Sequence, residues 1–230
     1  MKLRIGTALL CCLFVAGALH AADQSLKTPK DKVSYAIGAQ IGTDMKRQAV
    51  EIDPDAMAKG LKDGYSGSKL LLTDQEMKEV LTGFQRQMAT KQAEQMRKLA
   101  DKNRQEGEAF LAENGKKEGV KTLPSGLQYK IIKEGTGRMP KAEDTVTVNY
   151  RGTLLDGTEF DSSYKRGEPA SFPLKGVIKG WTEGLQLMKV GSKWQLFIPS
   201  HLAYGEQGAG RVIGPNAVLI FEVELLGIKE

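Results

Sequence analysis

Residues 146–163 read VTVNYRGTLLDGTEFDSS, and this stretch decides the fold of the second half of the chain. Val146, Val148 and Tyr150 alternate with Thr147 and Asn149, the period-two pattern of a strand with one buried face. Asp156-Gly157 then marks a hairpin, because glycine accepts the positive φ of a tight turn and aspartate bonds to backbone just beyond itself. The alternation returns at Trp194, Leu196 and Ile198, and further strands are expected over residues 128–133 and 218–226. Only residues 181–188 in this half carry a convincing helical pattern. Short strands, tight turns and one short helix give an α+β domain, an antiparallel sheet packed on that helix.

Upstream, the periodicity changes. Residues 28–114 read as helix. Thr28-Pro29 is a cap followed by a proline at the first helical position, and Val33, Ile37, Ile41 and Met45 then recur every four residues. Gly38 and Gly42 sit on the same helix at a spacing that lets a second backbone approach. Asp53-Pro54 starts a second helix with Met57 and Leu61 on one face, and residues 64–68 form a turn. Thr73-Asp74-Gln75-Glu76 matches a capping box, and Met77, Val80, Leu81, Phe84 and Met88 follow at helical spacing. No proline interrupts the chain until Pro124, so this third helix can run from about residue 74 to 113, roughly 60 Å at 1.5 Å per residue. Residues 89–105 are nearly all polar, the composition of a helix that bridges between domains. Two short helices and the start of a long one are too little chain for a self-sufficient core. Their apolar faces are therefore expected to meet those of a second subunit.

The first 22 residues stand outside this pattern. Lys2 and Arg4 precede an apolar run over residues 9–19, and small residues follow at Ala16-Gly17-Ala18 and Ala21-Ala22. That is the layout of a secretory signal peptide cleaved after Ala18, Ala21 or Ala22, with the last two favoured. Cys11 and Cys12 leave with it, so the mature chain needs no disulfide in an oxidising compartment. Loss of Lys2 and Arg4 leaves 31 basic residues against 28 acidic ones, lowering the net charge from +5 to +3. A field that weak, with no basic run, gives no basis for nucleic-acid binding.

The chemistry is narrowed by exclusion. Beyond the signal segment there is one histidine, His201, and no cysteine, so neither a zinc site nor a serine–histidine relay has support. There is no Gly-x-Ser-x-Gly elbow and no phosphate-binding Walker loop. The glycines at 205, 208 and 210 do not lie between a strand and a helix. What stands out instead is a set of aromatic residues beside turns: Tyr150, Phe160, Phe172, Trp181, Tyr204 and Phe221. Each alone reads as core. Their surroundings are VNYRG (148–152), DGTEFDSS (156–163), VIKGWTEGL (177–185), IPSHLAYG (198–205) and IGPNAVLIFEVEL (213–225).

In order and spacing these five segments resemble the FKBP family of peptidyl-prolyl cis/trans isomerases, over about residues 119–230. The helical half resembles the N-terminal part of the macrophage infectivity potentiator (Mip) group, through Met57-Ala58-Lys59-Gly60, Ser66-Gly67 and LPSGLQY (123–129). The resemblance implies four parts: a signal peptide (1–22), a helical dimerisation region (23–72), a long connecting helix (73–118) and an isomerase domain (119–230). It implies a pocket with Trp181 as floor and Tyr150, Phe160, Phe172, Val177, Ile178, Ile213 and Phe221 around it. The Ile178 amide and the Tyr204 hydroxyl would bond the peptide, and Asp161 would lie beside Tyr150 with Arg166 paired to it. Asp161, Tyr204 and Tyr150 are the catalytic candidates; no cofactor and no metal are called for. Proline-containing polypeptides are the implied substrates, and macrolides of the FK506/rapamycin type the implied inhibitors. The implied setting is a homodimer exported to the periplasm, the outer membrane or the cell surface, where it assists folding and serves in host interaction. An alternative is a dimeric chaperone or binding module that uses the pocket without catalysis. Ala209 departs from several eukaryotic members, which carry a bulky or polar residue there.

Overall fold

The computed structural model describes residues 26–229, so the expected signal peptide lies outside the described residues. The chain divides into two units, with the boundary between Glu76 and Met77.

The first unit holds helices α1 (Pro29–Arg47) and α2 (Pro54–Ser66). Thr28 caps α1 with its hydroxyl on the Asp31 amide, and Asp31 accepts in return from the Thr28 amide at 2.9 Å. Lys46 and Arg47 end the helix where positive charge suits the dipole. Asp53 caps α2 through the amides of Asp55 and Ala56, and Gly67 stops it at φ 66°, a conformation that costs a side-chain-bearing residue more. No residue of either helix is buried. Val33 is 59 % exposed, Ile37 57 % and Leu61 73 %, so the apolar stripes read from the sequence are left without cover in a single chain. A Cβ added at Gly38 or Gly42 would meet nothing within 4 Å.

Helix α3 (Asp74–Asn114) is 41 residues long, as its uninterrupted pattern requires. The capping box forms: the Glu76 amide donates to the Thr73 hydroxyl at 3.2 Å, and the Thr73 amide to the Glu76 carboxylate at 2.8 Å. Its C-terminal part packs on the sheet and on the loop before β7. Asn103 donates to the Pro215 carbonyl at 2.7 Å, and Phe110 packs on Phe197 with ring centroids 5.9 Å apart. Asn114, fully enclosed, donates to Gln128 at 3.0 Å, and Gln128 donates to the Leu111 carbonyl at 2.8 Å. Gly107 brings the helix close here, with no room for a Cβ beside Val218.

The sheet has seven antiparallel strands. They are β1 (Val120–Thr122), β2 (Gln128–Lys133), β3 (Thr145–Thr153), β4 (Glu159–Ser162), β5 (Ala170–Pro173), β6 (Lys193–Ile198) and β7 (Leu219–Lys229). The order is β1-β2-β6-β7-β3-β4, with β5 also on β3. Strand β3 is the axis of the functional end. It pairs with β7 along one edge, while β5 takes Thr145–Val148 and β4 takes Arg151–Thr153 on the other. The side chains of Val146, Val148 and Tyr150 are buried and those between them are not, as the alternation required. The turn that returns the chain to β4 contains Asp156-Gly157, with Gly157 at φ 85° and the Asp156 carboxylate accepting from the Thr158 amide.

Two short helices complete the unit, α4 (Ser163–Arg166) and α5 (Lys179–Leu185). The second begins two residues earlier than its apolar pattern, because the Ile178 carbonyl already accepts from the Trp181 and Thr182 amides. It lies directly on β6, where a Cβ at Gly180 would fall 2.4 Å from Ile198. Leu185, Leu196, Ile198, Leu219, Val223 and Leu225 are fully buried between helix and sheet or along the inner sheet face. The architecture is the expected α+β one.

Replacing Asn114 with alanine removes a buried donor and leaves the Gln128 carbonyl oxygen without its partner. Chemical denaturation should show a loss of about 1–3 kcal/mol. Lys116→Ala, at the exposed Lys116–Glu113 pair, should change stability by less than about 0.5 kcal/mol. Equal effects from the two substitutions would contradict the docking of α3 described above.

Candidate functional site

Strands β3, β4, β5 and β7 each deliver an aromatic ring to the same end of the sheet. Tyr150 comes from β3, Phe160 from β4, Phe172 from β5 and Phe221 from β7. Gly152 faces Phe221 across the β3–β7 ladder, and a Cβ there would lie 2.7 Å from the rings of both Phe160 and Phe221. A glycine at this position is what lets the rings converge. Helix α5 adds Trp181 from behind. Its ring is met edge-on by Tyr150 at 5.1 Å, Phe172 at 5.6 Å and Phe221 at 5.2 Å, with interplanar angles of 89°, 85° and 74°.

The result is a cavity of about 710 Å³. Every site residue named from the sequence lines it: Tyr150, Phe160, Asp161, Phe172, Val177, Ile178, Trp181, Tyr204, Ile213 and Phe221. Gly176, Ala203, Ala209 and Gly210 line it as well. Gly176, Ala203 and Gly210 are small residues with no chemical signal in the sequence. Trp181 is 4 % exposed, and its indole N–H has no hydrogen-bond partner among the described residues. His201 lies outside the cavity, its Nε2 2.9 Å from the Ser125 carbonyl oxygen.

Two loops close the sides. The 3-10 turn Leu174–Gly176 leads through Val177 and Ile178 into α5 and is tied by the Thr182 hydroxyl, which donates to the Leu174 carbonyl at 2.7 Å. Opposite, Ala209 and Ile213 pair with each other through two backbone hydrogen bonds, of 2.8 and 3.2 Å, and Asn216 donates to the Gly205 carbonyl at 2.8 Å. Tyr204 stands at the rim, 41 % exposed.

One charged group enters this apolar surface. The Tyr150 hydroxyl donates to Asp161 Oδ2 at 2.5 Å. Arg166, from α4, donates to Asp161 Oδ1 at 2.5 Å and to the Tyr150 oxygen at 2.7 Å. The Ser162 amide adds a fourth bond, to Asp161 Oδ1 at 2.8 Å. The direct tie from Arg166 to the tyrosine was not legible in the sequence. Helix α4 places it there, capped by the Ser162 side chain on the Lys165 amide. Partial burial pushes the Asp161 pKa upward and is the largest single influence, but the bonds from Tyr150, Arg166 and Ser162 together outweigh it and hold the group below the ordinary aspartate value. Burial first, then the hydrogen bond to Asp161, raise the Tyr150 pKa. At neutral pH the pair is therefore a carboxylate and a phenol. Both carboxylate oxygens are occupied, so Asp161 is poorly placed to abstract a proton and well placed to fix the tyrosine. Among the described residues no group of three or more His, Cys, Asp or Glu could hold a metal. The cavity offers shape, apolar surface and a few fixed dipoles, and no nucleophile.

Two family models match the chain. The one described as FKBP-type peptidyl-prolyl cis-trans isomerase covers residues 136–226, and the one described as the domain amino terminal to it covers residues 30–131. The outer membrane protein MIP of Legionella longbeachae is 50 % identical, over 100 % of this chain and 99 % of the relative. The peptidyl-prolyl cis-trans isomerase Mip of Coxiella burnetii is 47 % identical, over 95 % of this chain and 94 % of the relative. Among solved structures, FkpA from Escherichia coli is similar with a TM-score of 0.72 and 41 % identity, covering 89 % of this chain and 99 % of that one.

The state of Asp161 can be read directly. In a carbon-13 NMR titration its carboxyl should titrate below 3.8, the ordinary value, and Arg166→Gln should move the midpoint upward. The stabilisation from this cluster is present above the unfolded-state pKa and is lost as pH falls through the lower folded value. A midpoint above the ordinary value would contradict the bonding described here.

Proposed function

The chain belongs to the FKBP-type peptidyl-prolyl cis-trans isomerase family and is an isomerase of that type, and from that premise we propose how its cavity works and what it serves. The observation that carries the proposal is an aromatic cavity, open at its rim, whose one carboxylate accepts hydrogen bonds at both oxygens.

Rotation about a peptide bond faces a barrier of about 18–20 kcal/mol, and at an X–Pro bond it takes tens to hundreds of seconds uncatalysed. No covalent bond breaks, so no nucleophile, metal or cofactor has to act. Midway through rotation the amide loses resonance, its nitrogen becomes more basic and its carbonyl less polarised. In our reading the proline ring sits on Trp181 between Tyr150, Phe172 and Phe221. The apolar walls replace water around the bond and favour the twisted, less polar amide over the planar one. The Ile178 amide and the Tyr204 hydroxyl bond the flanking peptide. Asp161 and Arg166 hold Tyr150 in place and shape the local field without transferring a proton. Each 1.36 kcal/mol removed from the barrier gives about tenfold in rate. An FK506- or rapamycin-type macrolide would occupy the same cavity.

For the whole chain we propose a signal peptide over residues 1–22, a helical dimerisation region over 23–72, a connecting helix over 73–118 and the isomerase domain over 119–230. The uncovered apolar stripes of α1 and α2 support a homodimer formed through them. The segment ahead of α1, and a relative named as an outer membrane protein, support export to the periplasm or the outer-membrane surface. There the enzyme would speed proline-limited folding of exported proteins, steps that run on the seconds-to-minutes scale. A chaperone role is a second reading, favoured by the same exposed stripes, and is compatible with the first. Host interaction would be an additional use of the same surfaces.

Isomerisation of a Leu-Pro tetrapeptide tests the site. Tyr204→Phe should lower kcat/KM by about two- to tenfold, the range of one hydrogen bond, and Asp161→Ala by about tenfold or more as Tyr150 loses its anchor. With Asp161 ionised and Tyr150 neutral throughout, kcat/KM should stay flat from about pH 5.5 to about pH 9. A bell-shaped profile centred near neutrality would overturn the proton-free mechanism.

Sedimentation of the chain from residue 23 onward should give a dimer at micromolar concentration, and Ile37→Glu should give a monomer that keeps its tetrapeptide activity. A wild-type monomer would sink the dimer reading.

A further inference from the structure

The aromatic cavity does not end at Ile213. A second cavity, of about 570 Å³, adjoins it, and Gly210 and Ile213 line both. Three distant parts of the sequence wall it. Met96 and Leu99 come from α3, Leu154 and Leu155 from the turn between β3 and β4, and Val212 from the loop beside Ile213. Met96 is 45 % exposed, Leu99 39 % and Val212 49 %, so the groove opens apolar carbon to water. Its charges balance, Lys102 and Arg211 against Glu106 and Asp156.

The groove is preformed. Asn103 on α3 holds the Pro215 carbonyl at 2.7 Å, and the Asn216 side chain reaches the Ala100 carbonyl at 3.5 Å. A Cβ at Gly214 would fall 3.1 Å from Leu99 and 3.0 Å from Asn103, so loop and helix are in close contact. Helix α3 is thus fixed against the loop that borders the aromatic cavity, and the turn before β4 supplies the third wall of the groove.

We infer that this groove is a second subsite of the isomerase, which takes apolar side chains of the polypeptide flanking the proline. The inference rests on the reading of the aromatic cavity as the proline site. Ile213 is the shared wall, so a chain leaving one cavity over it enters the other. The volume lies in the range of about 300–1,000 Å³ typical of ligand sites. A non-native polypeptide presents apolar side chains together with unpaired backbone amides. The groove answers with Met96, Leu99, Leu155 and Val212 for the former, and with the Gln92 and Gln207 amides and the charged rim for the latter. Because the rim is balanced, hydrophobicity is selected and charge is not. Remote contacts of this kind can be used to lower the barrier at the reacting bond, so longer chains gain in kcat/KM as well as in affinity. The stretch of α3 that crosses the groove is then part of the substrate-binding surface as well as a connector.

The test compares the full-length mature protein on the tetrapeptide Ala-Leu-Pro-Phe and on two longer peptides. One is extended by five Leu- and Val-containing residues before the tetrapeptide, the other by the same residues after it. One extension should raise kcat/KM about tenfold, the worth of one well-buried aliphatic side chain. Met96→Glu on α3, which keeps a good helix former, and Leu155→Ser on the facing turn should each abolish most of that gain. Tetrapeptide turnover should stay within about twofold of wild type, since neither residue lines the aromatic cavity. Thermal melting checks that each variant folds, and either one suffices. Normal tetrapeptide turnover with no gain from either extension, or a gain that survives both substitutions, overturns the subsite alone. Failure to turn over the tetrapeptide overturns the proline-site reading and the subsite with it.

Discussion

The edge-on packing of Trp181 is the contact on which the functional end of this molecule depends. Three rings from three strands meet the indole at 5.1 to 5.6 Å, an arrangement favoured by the negative faces and positive edges of aromatic rings and worth about 0.5–1.5 kcal/mol per pair beyond simple burial. The contact does two things. It pins α5 to the sheet from the cavity side, where Gly180 lets the helix backbone approach Ile198. It also sets the floor of the cavity at a fixed depth, because rings packed at right angles cannot collapse onto one another. A cavity floored by small aliphatic residues would fill or flex. This one stays open at about 710 Å³ with its walls in place.

The electrostatics follow from that apolar frame. A carboxylate placed at the edge of such a cavity would be costly if left alone. Asp161 is accommodated because Tyr150, Arg166 and the Ser162 amide all donate to it. The same bonds that stabilise the charge also remove it from acid–base chemistry. Preorganisation of a ring, a hydroxyl and a field is what remains, and it suits a reaction in which the electron distribution of one amide changes and nothing else does.

Helix α3 docks beside this site through polar as well as apolar contacts, Phe110 packing on Phe197 among the latter. Asn103, Gly107 and Asn114 dock it by hydrogen bonds and by the absence of a side chain. Such contacts depend on direction, so they fix the helix in one register beside the loop that holds Ile213. The groove between them is a product of that docking, and it shares Gly210 and Ile213 with the aromatic cavity.

The sequence by itself determined the main helices and strands, though not the short β1, β5 and α4. The alternation in residues 146–150 set the buried face of β3, Asp156-Gly157 set the turn to β4, and the caps at Thr28, Asp53 and Thr73 set where three helices start. These signals are local: each is carried by residues within a few positions of one another, and backbone geometry answers to them directly. The cavity lining came from the resemblance of the five motif segments to a known family, and not from periodicity or spacing; Phe172 lies outside all five segments. Only the tertiary structure decided what those segments do to one another. Arg166 reaches the Tyr150 hydroxyl because a four-residue helix turns it back, and Gly176, Ala203 and Gly210 border the cavity although such small residues carry no pattern that reports it. The polar run in α3 read as a bridge between domains, and how the helix docks from the end of that run onward through Asn103, Gly107 and Asn114 was not legible, because amide–carbonyl bonds and close backbone approach depend on three-dimensional direction, which composition and periodicity do not encode.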